Sequence, residues 1–492
     1  MGIRLRALIF CALLFTDILS QYWNGVSSLF LGCVAALAWI TALPAADKVS
    51  RNISLILGSV GLVLFVYNRV PLEVVMSSFG ENIGVLMVMT LVPLMGTVIE
   101  LGEYNDALRA ISKRVKSPTA LFVFSLVLVY LIGSVLLTTA IALVWMVLVP
   151  AVLQVGKKPA EFLSDCLPRG YDASLLWTPV SPSMAATLSA TRTPWPSVFA
   201  PGLVLSLGVL ISAVVTELGT PQLKRRPEAD RVVADPSTPV AGVTGATEGC
   251  VCGGTASGAA TSNRVADPTA ASDMVVSTMA NPERRVAELA IGLLSFIVAA
   301  ASLNLSGLTV YQSMVPCVLI GVLIWAAYLR KLPQACRAII PFFAKRVPGL
   351  SNQFVLMIIA GFLGRAVQIA CKNTRFSFLS GLPNLGPIGF SLVVSLLVWG
   401  SAMVGIHPII GTSIVYSIVS PYAGRFSGLP MTLALLLGSC LGFSISPISA
   451  TILITSSCAG GNTVDVGLKK HWKFVLLSWV VCSACVPFVV PC

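Results

Sequence analysis

Apolar runs, many of them near the ~20 residues that a helix needs to cross hydrocarbon, alternate along the chain with short polar stretches that hold most of the Lys and Arg. No period-two alternation of the kind that marks a membrane β-barrel is present, so the runs predict helices. Four predicted spans come first, at 7–19, 26–43, 53–67 and 85–101. The next apolar stretch, 119–155, is too long for one span and too short for two spans with a loop. Its middle reads GSVLLTT from Gly133 to Thr139, and basic residues flank it on both sides: Lys113, Arg114 and Lys116 before, Lys157, Lys158 and Arg169 after. Both ends therefore fall on one side of the membrane, and the stretch is read as a re-entrant helical hairpin. A Pro- and Ser-interrupted span at 172–191 follows, then a returning span at 198–217.

The polar segment 218–285, which opens PQLKRRPEADR after Thr220 and is rich in Gly, Ala, Thr and Pro, buries too little apolar surface to offset chain entropy. It is read as a disordered cytoplasmic connector. Spans at 286–303, 308–329 and 352–371 follow it, then a second interrupted stretch, 386–419, broken by GSAMVGIHP between Gly400 and Pro408. A broken span at 431–457 and a last span at 472–490 complete the chain. The expected architecture is an all-α polytopic membrane protein with about 11 transmembrane helices and two re-entrant hairpins.

The two broken spans echo each other. WTPVSPSMAATLSAT (177–191) overlies FSISPISATILITSS (443–457) when Ser181-Pro182 is laid on Ser446-Pro447, an offset of 265 residues that also brings Gly96 onto Gly361. This is read as an internal duplication: an extra N-terminal helix at 1–25, a first repeat at 26–217, the connector, and a second repeat at 286–492. Because the first span has no counterpart, the two repeats have opposite orientation. Proline inside an apolar run removes a helical hydrogen bond and clashes with a preceding carbonyl. Broken helices at matching places of inverted halves mark the binding site of a secondary transporter.

Composition narrows the function. The chain is 56% hydrophobic and 11% charged, with a mean hydropathy of +0.89. The net charge of +12 comes from short clusters between apolar runs, which orient a membrane protein and place the N-terminus in the cytoplasm. They form no continuous patch for nucleic acid. The first run meets Asp17 and then QYWNG without a small-residue cleavage site, so it is kept as a span. The 13 cysteines are scattered and lack the paired spacing of a structural zinc site. No GxxxxGK[ST] loop for nucleotide phosphates is present. The 2 histidines and scattered carboxylates make an enzyme acting on lipid-linked substrates the weaker alternative.

With two hairpins and two broken helices in inverted halves, the chain resembles the ion transporter superfamily of secondary transporters, which includes the divalent anion:sodium symporters and the large permease subunits of TRAP transporters. The resemblance implies a homodimer with an elevator motion, and hairpin tips and helix breaks that together enclose substrate and coupling ions. Symporters of that family carry Ser-Asn-Thr triplets at the hairpin tips. Here Ser134, Thr138 and Thr139 stand at the first tip, and Ser401 and His407 at the second.

An anionic solute in such a site exchanges water for hydroxyls, backbone N–H groups and the positive ends of half-helices. The candidate substrate-binding residues are Ser134, Thr138, Thr139, Ser181, Pro182, Ser183 and Thr187 in the first half, and Ser401, His407, Ser446, Pro447, Ser449 and Thr451 in the second, with Ser189, Thr412, Ser444 and Thr455 beside them. Carbonyls freed near Ser181, Pro182, Ser446 and Pro447 offer oxygen ligands to Na⁺, and His407 offers a proton-exchanging imidazole. No resident cofactor or metal is expected; the coupling ion is Na⁺ or H⁺. Glu100, Glu103 and Asp106 are expected at the interface, with Arg109 in reach of Asp106. Arg365 is expected to pair with a carboxylate across the repeats, and His471 to anchor at the interface. Asp17 and Asp172 have no evident partner in the sequence. The expected function is import or export of an organic acid across a plasma or bacterial inner membrane. A cation/proton antiporter of the same fold is the alternative.

Overall fold

The computed structural model describes residues 3–23, 25–219, 281–373, 377–404 and 406–489. The predicted 218–285 connector lies almost wholly outside the described residues. Described residues contain no strand, and twelve of their helical segments are long and apolar enough to cross a membrane. The protein is an all-α polytopic membrane protein.

Helices α1 (Ile3–Tyr22), α2 (Ser28–Ala42) and α3 (Lys48–Tyr67) open the chain. A short α4 (Leu72–Ser77) leads to α5 (Ile83–Leu91), which a 3₁₀ turn at Val92–Leu94, holding Pro93, joins to α6 (Met95–Leu101). After α7 (Tyr104–Ser112) come α8 (Pro118–Leu136), α9 (Thr139–Gln154), α10 (Pro159–Ser174), α11 (Pro182–Thr191) and α12 (Trp195–Leu218). The second half runs α13 (Pro282–Leu305), α14 (Val310–Tyr328), α15 (Leu332–Gly349) and α16 (Ser351–Asn373). It closes with α17 (Gly386–Met403), α18 (Pro408–Val419), α19 (Leu429–Ile445), α20 (Ala450–Ala459) and α21 (Lys470–Val489).

The pair α8/α9 is a hairpin. Phe122 stacks edge-on against Phe162, and a Cβ on Gly133 would meet Tyr171, so α8 and α10 run in parallel. The intervening α9 must therefore return the chain to the side from which α8 started. The turn is made by Leu137, whose φ of 56° ends α8. In the second half Gly438 meets Ser395 and Val398, and Gly442 meets Ala402, so α17 and α19 are parallel and α18 is the returning arm. Two of the twelve apolar segments are thus first arms of hairpins, and the α10–α11 crossing, too charged to count among the twelve, brings the continuous or broken crossings to eleven.

The corresponding helices of the two halves run in opposite directions. Along α12 and α21, Glu217 and His471 both meet Arg169 while Leu205 O receives the Cys482 thiol, so rising numbers on one helix match falling numbers on the other. Likewise Ser183 on α11 meets Ser439 on α19, and Thr191 meets Thr432. Contacts between halves are reciprocal: α11 packs on the hairpin arm α18, and α20 packs on the hairpin arm α9.

Lipid tails are as apolar as Leu, so burial from water does not hold such helices together; close packing does. Small residues permit it. A Cβ on Gly170 would lie 2.5 Å from Leu126 O, and one on Gly438 would lie 2.7 Å from Ser395 O. These two glycines do the same work in each half and are 268 positions apart, which corrects the 265-residue register taken from Ser-Pro. The steric need at the hairpin contact, and not the proline, sets the alignment.

Another difference lies at the start of α10, which begins at Pro159 and not at 172. Its sequence, PAEFLSDCLPRGYDAS, reads as a polar loop because it holds four charged residues, two prolines and a glycine. The helix is stable because Asp165 and Arg169 are buried among compensating charges. A further helix, α15, fills the stretch between the spans predicted at 308–329 and 352–371.

Candidate functional site

Each hairpin tip meets the break in the broken helix of its own half. At the first break, the chain leaves α10 after Ser174 and re-enters helix at Pro182, with Ser181 as N-cap accepting from Met184 N at 3.4 Å. Proline suits the first helical position because its missing N–H is not needed there. Thr178, inside the break, donates to Ser134 O of the tip at 2.6 Å. The break is also held from α12, where Trp195 Nε1 donates to Trp177 O at 3.0 Å. At the second break Ser446 is the C-cap of α19, Pro447 lies in the linker, and Ser449 is the N-cap of α20, accepting from Ile452 N at 3.2 Å. The two Ser-Pro pairs therefore occupy different points of their breaks, and the N-caps Ser181 and Ser449 follow the same 268-residue register as the glycines.

His407 caps α18, with Nδ1 accepting from Ile409 N at 3.4 Å, and its ring stands edge-on to Phe443, 5.5 Å between centroids, just before the break. Ser401 is half-buried and donates to Val398 O at 2.7 Å. Ser134, Thr139 and Thr187 also donate to carbonyls of their own or the adjoining helical turn, which is the common behaviour of hydroxyls in membrane helices. Thr138 is half-buried at the first tip. Ser183 exchanges a hydrogen bond with Ser439 across the halves, and Ser449 donates to Phe443 O at 2.7 Å. Ser446 differs from all of these: it is fully buried, yet its Oγ has no hydrogen-bond partner among the described residues. An unpaired buried hydroxyl costs about 1–3 kcal/mol, and here it stands at a helix break.

The residue that the sequence reading left without a partner proves central. Asp172, on α10, is fully buried, and its two carboxylate oxygens accept from Ser444 Oγ at 2.7 Å and Thr451 Oγ1 at 2.9 Å. The Cys440 thiol donates to Asp172 O at 3.1 Å. One side chain of the first half thus bridges both segments of the second half's broken helix, and it makes no ion pair among the described residues. The signal available in the sequence was a lone acid at the start of the predicted 172–191 span, a functional hypothesis in its own right.

Arg169, one turn earlier, points Nη1 to Glu217 at 3.3 Å and Nη2 to Asp165 at 3.9 Å, and its Nε donates to His471 Nδ1 at 3.4 Å. Lys470 reaches Asp165 at 3.6 Å, and His471 Nε2 contacts Ser164 O at 3.1 Å. His471 is thereby fully buried instead of anchoring at the interface, because α21 begins beside α10 and α12. Other charged residues fall closer to expectation. Asp106 and Arg109 pair at 3.7 Å, Glu100 is exposed, and Arg365 pairs with Glu81 of the first half at 3.7 Å. Asp17 accepts from Gln21 Nε2 at 2.9 Å. A cavity of 410 Å³ opens beyond the first break, walled by Ala185, Leu188 and Ser189 of α11, by Arg192, and by the α13–α14 connection.

No family model and no curated protein matches the chain.

A conservative test of the second break follows from Ser446. Replacing it by Ala removes an unpaired donor, so thermal stability should hold or rise slightly while, on the solute-binding reading argued below, affinity falls about tenfold, the value of one lost hydrogen bond. Thermal unfolding and ligand-induced stabilisation measured on one preparation separate the two effects.

Proposed function

We propose that the protein is a secondary active transporter moving a small anionic solute of the organic-acid class, coupled to Na⁺ or H⁺. One observation carries the reading: two antiparallel runs of the same element order, each with a hairpin whose tip abuts a helix break, share their breaks across the halves through Asp172, Ser444 and Thr451. Inverted repeats with interrupted helices at their interface are the architecture of alternating access. The ion transporter superfamily offers the nearest functional analogy. On that analogy the hairpins and broken helices move together against α2, α3, α5, α13, α14 and α16, and two copies of the chain assemble in a plasma or bacterial inner membrane.

Anion recognition would fall to groups at the breaks: the N–H groups opening α11 and α20, the unpaired Ser446 hydroxyl and His407. Arg192 on the wall of the outer cavity gives an approaching anion its first positive charge. A buried carboxylate at the same interface also favours the antiporter reading, and the two separate by experiment. Purified protein in liposomes loaded with a pH-sensitive dye is exposed to a panel of organic acids under Na⁺ or H⁺ gradients. Gradient-dependent uptake of an acid supports the proposal. Proton flux that follows Na⁺ without any organic solute supports the antiporter. Neither flux removes transport.

A further inference from the structure

We propose that Asp172 is a proton-carrying carboxylate, loaded and unloaded as the hairpins and broken helices move between the two faces; its role in coupling, as distinct from its protonation, rests on the transporter reading above. The geometry is that of a charge with no counter-ion. Asp172, Ser444 and Thr451 are all fully buried, and both acid oxygens are engaged by hydroxyls of the opposite half. An isolated carboxylate in so dry a place is costly unless a proton or cation compensates it. The guanidinium one turn away on α10, that of Arg169, is turned to Glu217, Asp165 and His471. A metal ion needs a shell of several oxygens, whereas the packing here brings two hydroxyls to the carboxylate. A proton needs no added volume.

The step balances simply. The carboxylate takes up one H⁺ and becomes a carboxylic acid, and its new O–H donates to Ser444 Oγ or Thr451 Oγ1. That hydroxyl turns its own hydrogen to a carbonyl of its helix, as Ser and Thr commonly do. Release reverses each move. Other ionisable groups against these helices are Cys166 and Tyr171 on α10, Tyr130 of α8 against Trp177, His407 against Phe443 of α19, Cys440 on α19 and Cys482 on α21. Toward the surface, Asp165, Arg169, Glu217, His471 and Lys470 form a connected chain, and the Lys470 side chain at its outer end is 28% exposed. Positions 165, 169 and 172 fall on one face of α10, since residues three and four apart are neighbours on a helix. The cluster thus leads from the surface to within one turn of Asp172. For an anionic solute, the proton offsets one negative charge during the crossing.

Infrared difference spectra of the purified protein in lipid nanodiscs, taken across a pH titration, test the site without any solute. A carboxylic C=O band that titrates in the wild type and is missing in Asp172→Asn is expected. Ser444→Ala and Thr451→Val each remove one hydrogen bond to the charged form and should move that titration to higher pH by about one unit. These variants keep the test open should Asp172→Asn fail to fold. A titration unmoved by both hydroxyl variants, or a band that persists in folded Asp172→Asn, overturns the proposal. So does a titration displaced by Na⁺ at fixed pH, which would make the group a sodium ligand. A band that behaves as expected, in protein that moves none of the tested acids in liposomes, supports the proton site while the transporter reading falls.

Discussion

Replacing Arg169 by Gln should destabilise the protein by about 3–5 kcal/mol, the range for breaking a buried ion pair by removing one partner. The guanidinium serves Asp165 and Glu217 together, and the Arg169, Asp165 and Glu217 side chains are all at least 93% buried. Without it, two carboxylates on neighbouring helices face each other in a dry environment. Lys470, at 3.6 Å from Asp165, compensates one of them in part. The loss should appear as a lower midpoint of unfolding in detergent. A second variant isolates the cause: changing Arg169 to Met together with Asp165 and Glu217 to Leu removes the charges as a set, and should recover most of the stability because apolar replacement of a whole buried ionic group is often neutral or stabilising. If the triple variant is as weak as Arg169→Gln, the network contributes shape and hydrogen bonding instead of charge balance. Surface pairs such as Lys158 with Glu161, at 3.7 Å and largely exposed, should change stability by less than about 1 kcal/mol when broken.

Gly202→Val carries the second large effect. A Cβ at Gly202 would fall 2.1 Å from Leu176 O and 3.1 Å from its carbonyl carbon, both main-chain atoms of the first break. Backbone cannot step aside as a side chain can, so α12 and the break must separate. The Trp195 bond to Trp177 O, which holds the same segment, would stretch with them. Overpacking of this kind costs about 1–3 kcal/mol and occasionally more; with a carbonyl as the obstacle the upper end is expected, along with, on the transporter reading, loss of uptake from whatever protein remains folded. Gly96 supplies the control. Nothing lies within 4 Å of its would-be Cβ, so Gly96→Ala in α6 should be neutral or slightly stabilising. Unfolding midpoints and liposome uptake on both variants check the contrast. Equal behaviour would mean that helix propensity, and not contact with the break, dominates at position 202.

Much of this architecture is legible from the run lengths of apolar residues. The second hairpin is read at 386–419 and found as α17 and α18 over the same residues, because an apolar stretch of that length flanked by loops has few other solutions. The antiparallel relation of the halves follows from counting crossings. What the sequence hid is the inside of α10. Hydropathy sees Asp165, Arg169 and Asp172 as solvent-seeking, and it cannot see that Glu217, 48 positions from Arg169, and His471, 302 positions from it, arrive to meet the guanidinium. The same blindness made Asp172 look partnerless, since Ser444 and Thr451 are 272 and 279 residues away. Conversely, the hydroxyls that look most like ligands in the sequence, Ser134, Thr139, Thr187 and Ser401, are held by helical carbonyls nearby in the chain.

The register set by Gly170 and Gly438 places a thiol, Cys440, at the position in the second half that matches Asp172. The two halves are therefore alike in shape and lopsided in ionisation, so on the transporter reading each chain takes one elementary charge per cycle through this pair of positions and not two. On that reading, in a membrane held at 100 mV, a single such charge exchanges about 2.3 kcal/mol with the field, enough to bias a two-position machine about fifty-fold toward one face without any difference in concentration.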